Sequence, residues 1–354
     1  MIHTGNSATA KLVNVYSSVM RQGPTVRDIA SHAGVSIATV SRVLNDQEHV
    51  SPGTRELVQQ AIDELGGRGP RRRPARTGAV FLRCPYLLTD YFGLIVSSIA
   101  ETLDLHGRQL VLNAGEAAQQ LPVLSSLPSR PGIGGAIVVL PPEPGTELVA
   151  LQEAGFPFVV VDPREQVPRD IAAVSAAHFA GSRSLTAHLT AHGHRRIGLL
   201  AGPDNWLASS ARRAGHVSAL ADAGVLLDPR LSIAGEPTVR FGFEAARQLL
   251  SQPTRPTALV AFNDKAASGA LAAAAQLGLR VPEDLSIAGF DDIDLAQATR
   301  PTLTTVRQPL AEMGRIAVGL LMRLLDHHRL DALHVELATE LIIRDSTGPA
   351  PAGQ

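Results

Sequence analysis

A single cysteine, Cys84, occurs in 354 residues, so the chain holds no intrachain disulfide and no cysteine-rich zinc site. Cys84 closes an apolar run and reads as a buried structural thiol, a usage that fits a reducing cytoplasm. No apolar stretch is long enough to cross a bilayer uninterrupted. Near the N-terminus, Lys11-Leu-Val-Asn-Val-Tyr is not the continuous apolar core of a signal peptide. The GxxxxGK(S/T) phosphate loop is missing. Gly132-Ile-Gly134-Gly135 precedes a strand pattern and opens no helix after one, so it is not a dinucleotide fingerprint. Charged residues make up only 18% against 45% hydrophobic, the balance of a soluble folded protein with room for two or three domains. None of these features calls for a cofactor or a metal.

What charge there is lies unevenly. Residues 1–77 carry ten Lys/Arg against six Asp/Glu, an excess of four positive charges. The net charge of −1 then leaves the remainder at −5. A basic head on an acidic body suits a polyanion that touches only the head.

The densest local pattern is in residues 25–45. Val26, Ile29, Ala30 and Ala33 recur on one face of a short helix. Gly34 supplies a tight turn, and Ser36 stands where a second helix needs an N-cap oxygen. In that second helix Val40, Val43 and Leu44 face inward and leave Ile37, Ala38, Ser41 and Arg42 outside. Two short helices about a glycine turn, with a small and cationic outer face, make the helix-turn-helix layout that enters a DNA major groove. An ordinary helical hairpin has the same periodicity. Ser51-Pro52 opens a third helix with Leu57, Val58, Ala61, Ile62 and Leu65 on its apolar face, and Gly66-Gly67 ends it.

The expected organisation is a loose extension over 1–22, a helix-turn-helix domain over 23–67 and an Arg/Pro-rich linker over 68–77. A two-lobe body follows over 78–345, with a flexible tail over 346–354. Met20 stands just before the first helix and competes with Met1 as the translation start. Five arginines in the linker, Arg71, Arg72 and Arg73 among them, suit phosphates and equally suit a solvated tether.

From Ala79 onward, short apolar runs alternate with helical patterns. Candidate strands are 79–82, 110–113, 136–140, 158–162, 197–201, 258–262 and 285–290. Candidate helices are 94–105, 179–191, 211–223, 241–250 and 265–277. Continuously apolar strands alternating with helices mean parallel sheets covered on both faces, and a total of about ten strands exceeds one comfortable sheet and favours two doubly wound lobes. Ligands in such folds sit beyond the carboxyl ends of strands. Asp162, Asn263-Asp264 and Asp291-Asp292 stand at those ends and suit the hydroxyls of a sugar or nucleoside. Each could instead cap the following helix, and one of Asn263 and Asp264 is expected to do so. Nothing singles out an acid of raised pKa, so no hydrolytic pair is assigned. His188, His192 and His194 read as surface histidines near a helix C-terminus, without the further ligand a metal needs. Trp206 could stack on a sugar face or fill core.

Together these residues carry a family pattern. Thr25–Asn45 closely resembles the head of the lactose-repressor (LacI/GalR) family of bacterial transcriptional regulators. Gly193-His-Arg-Arg-Ile, Asn263-Asp264, Gly289-Phe-Asp-Asp292 and Pro301-Thr-Leu-Thr-Thr-Val-Arg-Gln-Pro309 follow in family order, so the resemblance covers roughly residues 23–345. It implies a homodimer binding a pseudopalindromic operator. Its periplasmic-binding-protein-like body would sense a small molecule, most often a sugar. Ile37, Ala38 and Arg42 fall at base-reading positions, where Arg42 could pair bidentately with guanine. Arg27, Ser36 and Thr39 suit phosphates. Arg212, Asn263 and Asp291 match cleft positions, with Asp162 a further acid. Asp90 and Phe92 take the first-lobe place in Thr89-Asp-Tyr-Phe92.

Three departures stand out. The linker lacks the family's Asn-x-x-Ala-Arg-x-Leu helix and offers no apolar wedge for the minor groove. Ala177-His178 replaces Asp-Asn. Pro237 stands where a cleft aromatic is usual, which leaves Trp206 as the stacking partner. The reading is therefore a DNA-binding regulator, a repressor tuned by a small ligand. An effector-independent regulator and a sugar-binding transport protein are the alternatives.

Overall fold

The computed structural model describes residues 26–44, 50–65, 78–120, 123–328, 330 and 333–351. Two compact units divide between residues 75 and 76.

In the first unit, helices α1 (Val26–Ala33), α2 (Ile37–Leu44) and α3 (Pro52–Glu64) surround Ile29, Ala30, Val40, Val58, Ala61 and Ile62, all buried. Gly34 has φ +66°, a conformation that side chains disfavour, and it lets Val35 N–H return to the Ala30 carbonyl at 3.1 Å. Ser36 caps α2 by accepting from Thr39 N–H at 3.0 Å. Ser51 caps α3, whose first residue is Pro52. His32 and Glu64, 2.7 Å apart, tie α1 to α3.

In the second unit, the first lobe is a six-stranded parallel sheet. It contains β1 (Ala79–Cys84), β2 (Leu110–Ala114), β3 (Ile133–Val139), β4 (Phe158–Val161), β5 (Ala173–Ala176) and β11 (His334–Leu337), in the order β11-β5-β4-β3-β1-β2. Helices α4 (Asp90–Leu105), α5 (Gly145–Glu153) and α11 (Leu310–Leu325) belong to this lobe. The second lobe is a four-stranded parallel sheet, β7-β6-β8-β9, of β6 (Ile197–Ala201), β7 (Ser232–Ala234), β8 (Ala258–Ala261) and β9 (Ser286–Ala288). Around it lie α6 (His178–Ala191), α7 (Leu207–Asp222), α8 (Val239–Leu250), α9 (Asp264–Gln276) and the short α10 (Asp294–Ala298). The chain crosses between lobes three times: β5 to α6, β10 (Thr305–Arg307) to α11, and β11 to β12 (Glu340–Ile342). Antiparallel pairing of β10 with β12 marks the crossing.

Strands such as Phe158-Val-Val-Val are buried on both faces, as parallel sheets require. Helices α8 and α9 touch backbone to backbone. A Cβ on Gly242 would lie 2.0 Å from the Ala266 carbonyl oxygen, and one on Gly269 equally close to the Val239 carbonyl oxygen. Five strands (β5, β7, β10, β11 and β12) and helices α5, α10 and α11 fall outside the elements read from periodicity. β5 is Ala-Val-Ser-Ala, with little intrinsic strand preference.

Two expectations are corrected. The tail is not free from residue 346 onward. Ser346 is fully buried, donates to the Ile287 carbonyl at 2.6 Å and accepts from Thr304 N–H. Gly348 N–H reaches Ser286 Oγ, and Ala350 N–H reaches the His192 carbonyl. The backbone polar groups beside edge strand β9 take this segment as a partner, which a search for periodicity cannot register. Nor are the three histidines all on the surface: His194 is buried between Thr257, Ser286 and the Gly348 carbonyl. Gly193, at φ +89°, turns the chain inward there. Cys84 is buried as expected, and burial pushes its thiol pKa up to about 12.

Candidate functional site

A cavity of about 120 Å³ lies between the lobes, beyond the carboxyl ends of strands from both sheets. Tyr91 and Phe92 from the start of α4, Leu140 after β3 and Asp162 after β4 line it from the first lobe. Trp206, Arg212, Pro237, Phe262, Asn263, Lys265, Asp291 and Ile293 line it from the second. Of the expected effector residues, Phe92, Asp162, Trp206, Arg212, Asn263 and Asp291 all meet here, and Asp90 stands at the rim. Six non-glycine residues have positive φ among the described residues. Four of them, Asp90, Leu140, Asp162 and Asp291, are at this site. Backbone strain of this kind concentrates where a fold holds a functional geometry.

Asp162, Arg212 and Asp291 are each only 6% exposed. Asp162 accepts from the Tyr91 hydroxyl at 2.7 Å and from His178 Nε2 at 2.8 Å. Arg212 Nε and Nη2 both face His178 Nδ1 at 3.4 Å. Because guanidinium only donates, Nδ1 is the acceptor and Nε2 carries the hydrogen directed at Asp162. Arg212 also donates to the Phe262 carbonyl, and its Nη2 lies 3.6 Å from Asp291 Oδ1. The guanidinium sits over the Phe290 and Phe262 rings, 3.7 and 4.3 Å from their centres. Gln308 Nε2 donates to Asp291 at 2.6 Å.

These surroundings set the ionisation. Burial raises the Asp162 pKa, but the His178 ring and the hydrogen bonds from His178 and Tyr91 outweigh it and leave the pKa lowered. Burial raises Asp291 and lowers Arg212, in each case against the attraction of the other. Asp264 is raised well above the usual carboxylate range by burial and by the charge of Asp291.

The paired strand-end residues separate. Asn263 is the cap of α9, accepting from Ala266 N–H at 2.9 Å, and it also borders the cavity. Asp264 turns into the core and accepts from Ile293 N–H and the Thr305 hydroxyl. Asp292 likewise leaves the cavity and binds Arg344 and Arg307 at the crossing. Trp206 fills core, one of the two expectations for it, and also borders the cavity. It packs against the first-lobe core and lines the cavity, edge-on to Phe262 and under the Arg164 guanidinium. Tyr91, Phe262, Lys265 and Gln308 are at the site without having been among the expected effector residues. His178 differs from the family pattern in sequence, and that departure is the signal that marks it. At the rim, Lys265 Nζ from the second lobe lies 3.1 Å from Asp90 Oδ2 in the first.

In the head, Ile37 is 49% exposed and Arg42 is exposed, while Val40 is buried, as expected for these three residues of α2. The hydroxyls of Ser36 and Thr39 lie together at its N-terminus, 2.8 Å apart. The side chains of Arg27, Ala38 and Ser41, the arginines Arg71, Arg72 and Arg73, and the 1–22 extension lie outside the described residues.

Known proteins share both parts. Residues 25–66 match the family "Bacterial regulatory proteins, lacI family", and residues 186–347 match "Periplasmic binding protein-like domain". The HTH-type transcriptional repressor CytR of Escherichia coli K12 is 34% identical over 335 residues, 92% of this chain and 97% of that protein. PurR, an HTH-type transcriptional repressor of Escherichia coli O139:H28, is 31% identical and covers 92% and 98%. A transcriptional regulator CelR–cellobiose complex has TM-score 0.70 at 32% identity, over 91% of this chain and 99% of that one. The Lac repressor dimer bound to operator and the anti-inducer ONPF has TM-score 0.69 at 29% identity, over 92% and 100%. A helix-turn-helix head on a two-lobed body with a cleft defines a ligand-responsive transcription regulator. The chain belongs to the LacI family of bacterial regulatory proteins; it is a sequence-specific DNA-binding regulator under small-molecule control, not an enzyme.

Proposed function

We propose that this chain is a cytoplasmic, homodimeric repressor whose hold on a pseudopalindromic operator is set by a sugar or sugar derivative bound between its lobes. The observation that carries this reading is the convergence of Asp162, Arg212, Asn263 and Asp291 with Phe92 and Trp206 on one interlobe cavity. The ligands named for two similar structures, cellobiose and ribose, support the sugar class. On DNA, Ile37, Ala38 and Arg42 address base edges, with Ser41 beside them. Arg27, Ser36 and Thr39 position the head on phosphates. Arg71, Arg72 and Arg73 add attraction that does not depend on sequence.

The test is retention of the gene's own promoter in a gel shift, with and without a panel of sugars and sugar derivatives, beside thermal melting with the same panel. A specific shift that one compound changes, with a matching rise in melting temperature, is the expected result. Specific retention indifferent to every compound would replace this reading with an effector-independent regulator. Absence of specific retention would overturn it.

A further inference from the structure

Of the 32 Lys and Arg side chains only Lys11 and Lys265 are lysines. Lys265 is therefore the body's one lysine, and it stands where a cation is least at home. It is the second residue of α9, in a first turn whose unpaired N–H groups carry partial positive charge. Its charge is met instead from the other lobe. Nζ lies 3.1 Å from Asp90 Oδ2 and donates to the Thr89 hydroxyl at 3.3 Å. Asp90 begins α4 with φ +42°, a conformation the fold must hold against its intrinsic disfavour. The two side chains are 35% and 36% exposed, so water and salt weaken the pair and let it part. Lysine suits such a contact. Its ammonium is a single swivelling charge, whereas arginine grips a carboxylate with two parallel donors. In a chain that otherwise uses arginine, an amine at the cleft rim marks a contact built for release. A second contact also crosses the cleft. Trp206, from the second lobe, packs on the first-lobe core beneath Arg164, and Leu207 N–H donates to the Arg164 carbonyl at 2.8 Å.

We propose that Lys265 and Asp90 form a releasable ionic latch between the lobes. While the pair is made, the lobes stay together at the rim and Trp206 stays seated. When screening or a competing charge breaks it, the lobes part and the cavity opens. This goes beyond the regulatory reading above and depends neither on the ligand's identity nor on DNA.

Trp206 is the chain's only tryptophan, so its fluorescence reads lobe separation in the full chain without a label. At about 0.01 M salt, where screening is weak, Lys265→Met and Asp90→Asn should each raise acrylamide quenching about twofold, the scale of one exposed ion pair. Emission should move to longer wavelength in both. Lys265→Arg restores the charge and should stay as protected as the wild type. At about 1 M salt the wild type should reach the quenching of Lys265→Met, whose own value should not move. Both partners are partly exposed and asparagine tolerates positive φ, so the variants should melt as the wild type does. Quenching unchanged in Lys265→Met, a rise there that Asp90→Asn does not share, or equal quenching of Lys265→Met and Lys265→Arg would each overturn the latch. So would a wild type indifferent to salt. No ligand or operator enters this measurement. Its failure therefore leaves the regulatory reading standing, and failure of the promoter gel shift leaves the latch standing.

Discussion

Asp291 and Asp292 are neighbours in the chain but serve different partners. Asp291 borders the cleft and receives Gln308 Nε2 at 2.6 Å. Asp292, with a nearly buried side chain, joins Arg344 at 2.6 Å and Arg307 at 2.7 Å. Both have positive φ, 110° and 55°, a conformation the surrounding structure must hold against its intrinsic disfavour.

The two substitutions should therefore separate ligand response from stability. Asp291→Asn keeps the shape and should reduce ligand-induced changes in melting temperature while leaving operator retention in place. Asp292→Ala strips a partner from two arginines at the lobe crossing and should lower stability by about 3 kcal/mol. Urea melts with and without ligand distinguish them. Equal loss of stability in both would refute the division.

Arg42 is exposed on the outer face of α2. Arg42→Ala is expected to weaken operator binding by about 1–3 kcal/mol and relax the preference at one base pair. Arg72→Ala should weaken all DNA alike and make binding less sensitive to salt. Competition gel shifts against single-base operator variants check both. Unchanged discrimination in Arg42→Ala would move the reading face elsewhere.

His216 is buried between α6 and α7, its Nδ1 2.9 Å from the Thr186 hydroxyl. Burial lowers its pKa from 6.5 to about 4. The unfolded chain thus takes up a proton before the folded one as pH falls. Stability is intact above about pH 6.5 and is lost progressively toward pH 4, by about 3 kcal/mol in all. Chemical denaturation across that window should show this slope in the wild type and a flatter one in His216→Gln.

Arg83, next to last in β1, is fully buried. It pairs with Glu143 and donates to Asn113 Oδ1 at 2.6 Å. Glu143→Ala removes the buried carboxylate paired with this guanidinium and should reduce stability by about 3–5 kcal/mol. The double change Arg83→Met with Glu143→Leu should recover most of that. Denaturation midpoints of the three variants give the answer, and a double mutant no better than Glu143→Ala would contradict the argument.

Much of the fold was legible because its signals are local. Val40 and Arg42 take opposite sides of α2 by helical spacing alone, and Ser36 and Ser51 cap as their positions demand. The valine run before Asp162 is a buried strand because few other structures accommodate such a run. Helix α11 lies outside the expected elements, although Leu310, Met313, Gly314, Ala317, Val318 and Leu321 keep helical spacing on its buried face. The short strands β5, β7 and β10 have three or four residues each, too few for a period to declare itself.

Sequence by itself determined the head and the alternating body, since each rests on a pattern within a few neighbouring positions. The resemblance of its ordered motifs to a family carried the family and cleft residues such as Phe92 and Arg212. Tertiary structure alone decided where Asp264 and Asp292 find their partners, that Ser346–Ala350 is docked, and that His178 joins Asp162 to Arg212. Those outcomes depend on partners brought together from distant parts of the chain, as with Asp292 and Arg344, 52 positions apart. A buried polar group must be satisfied by whatever the fold places beside it, and no spacing along the sequence records that neighbour.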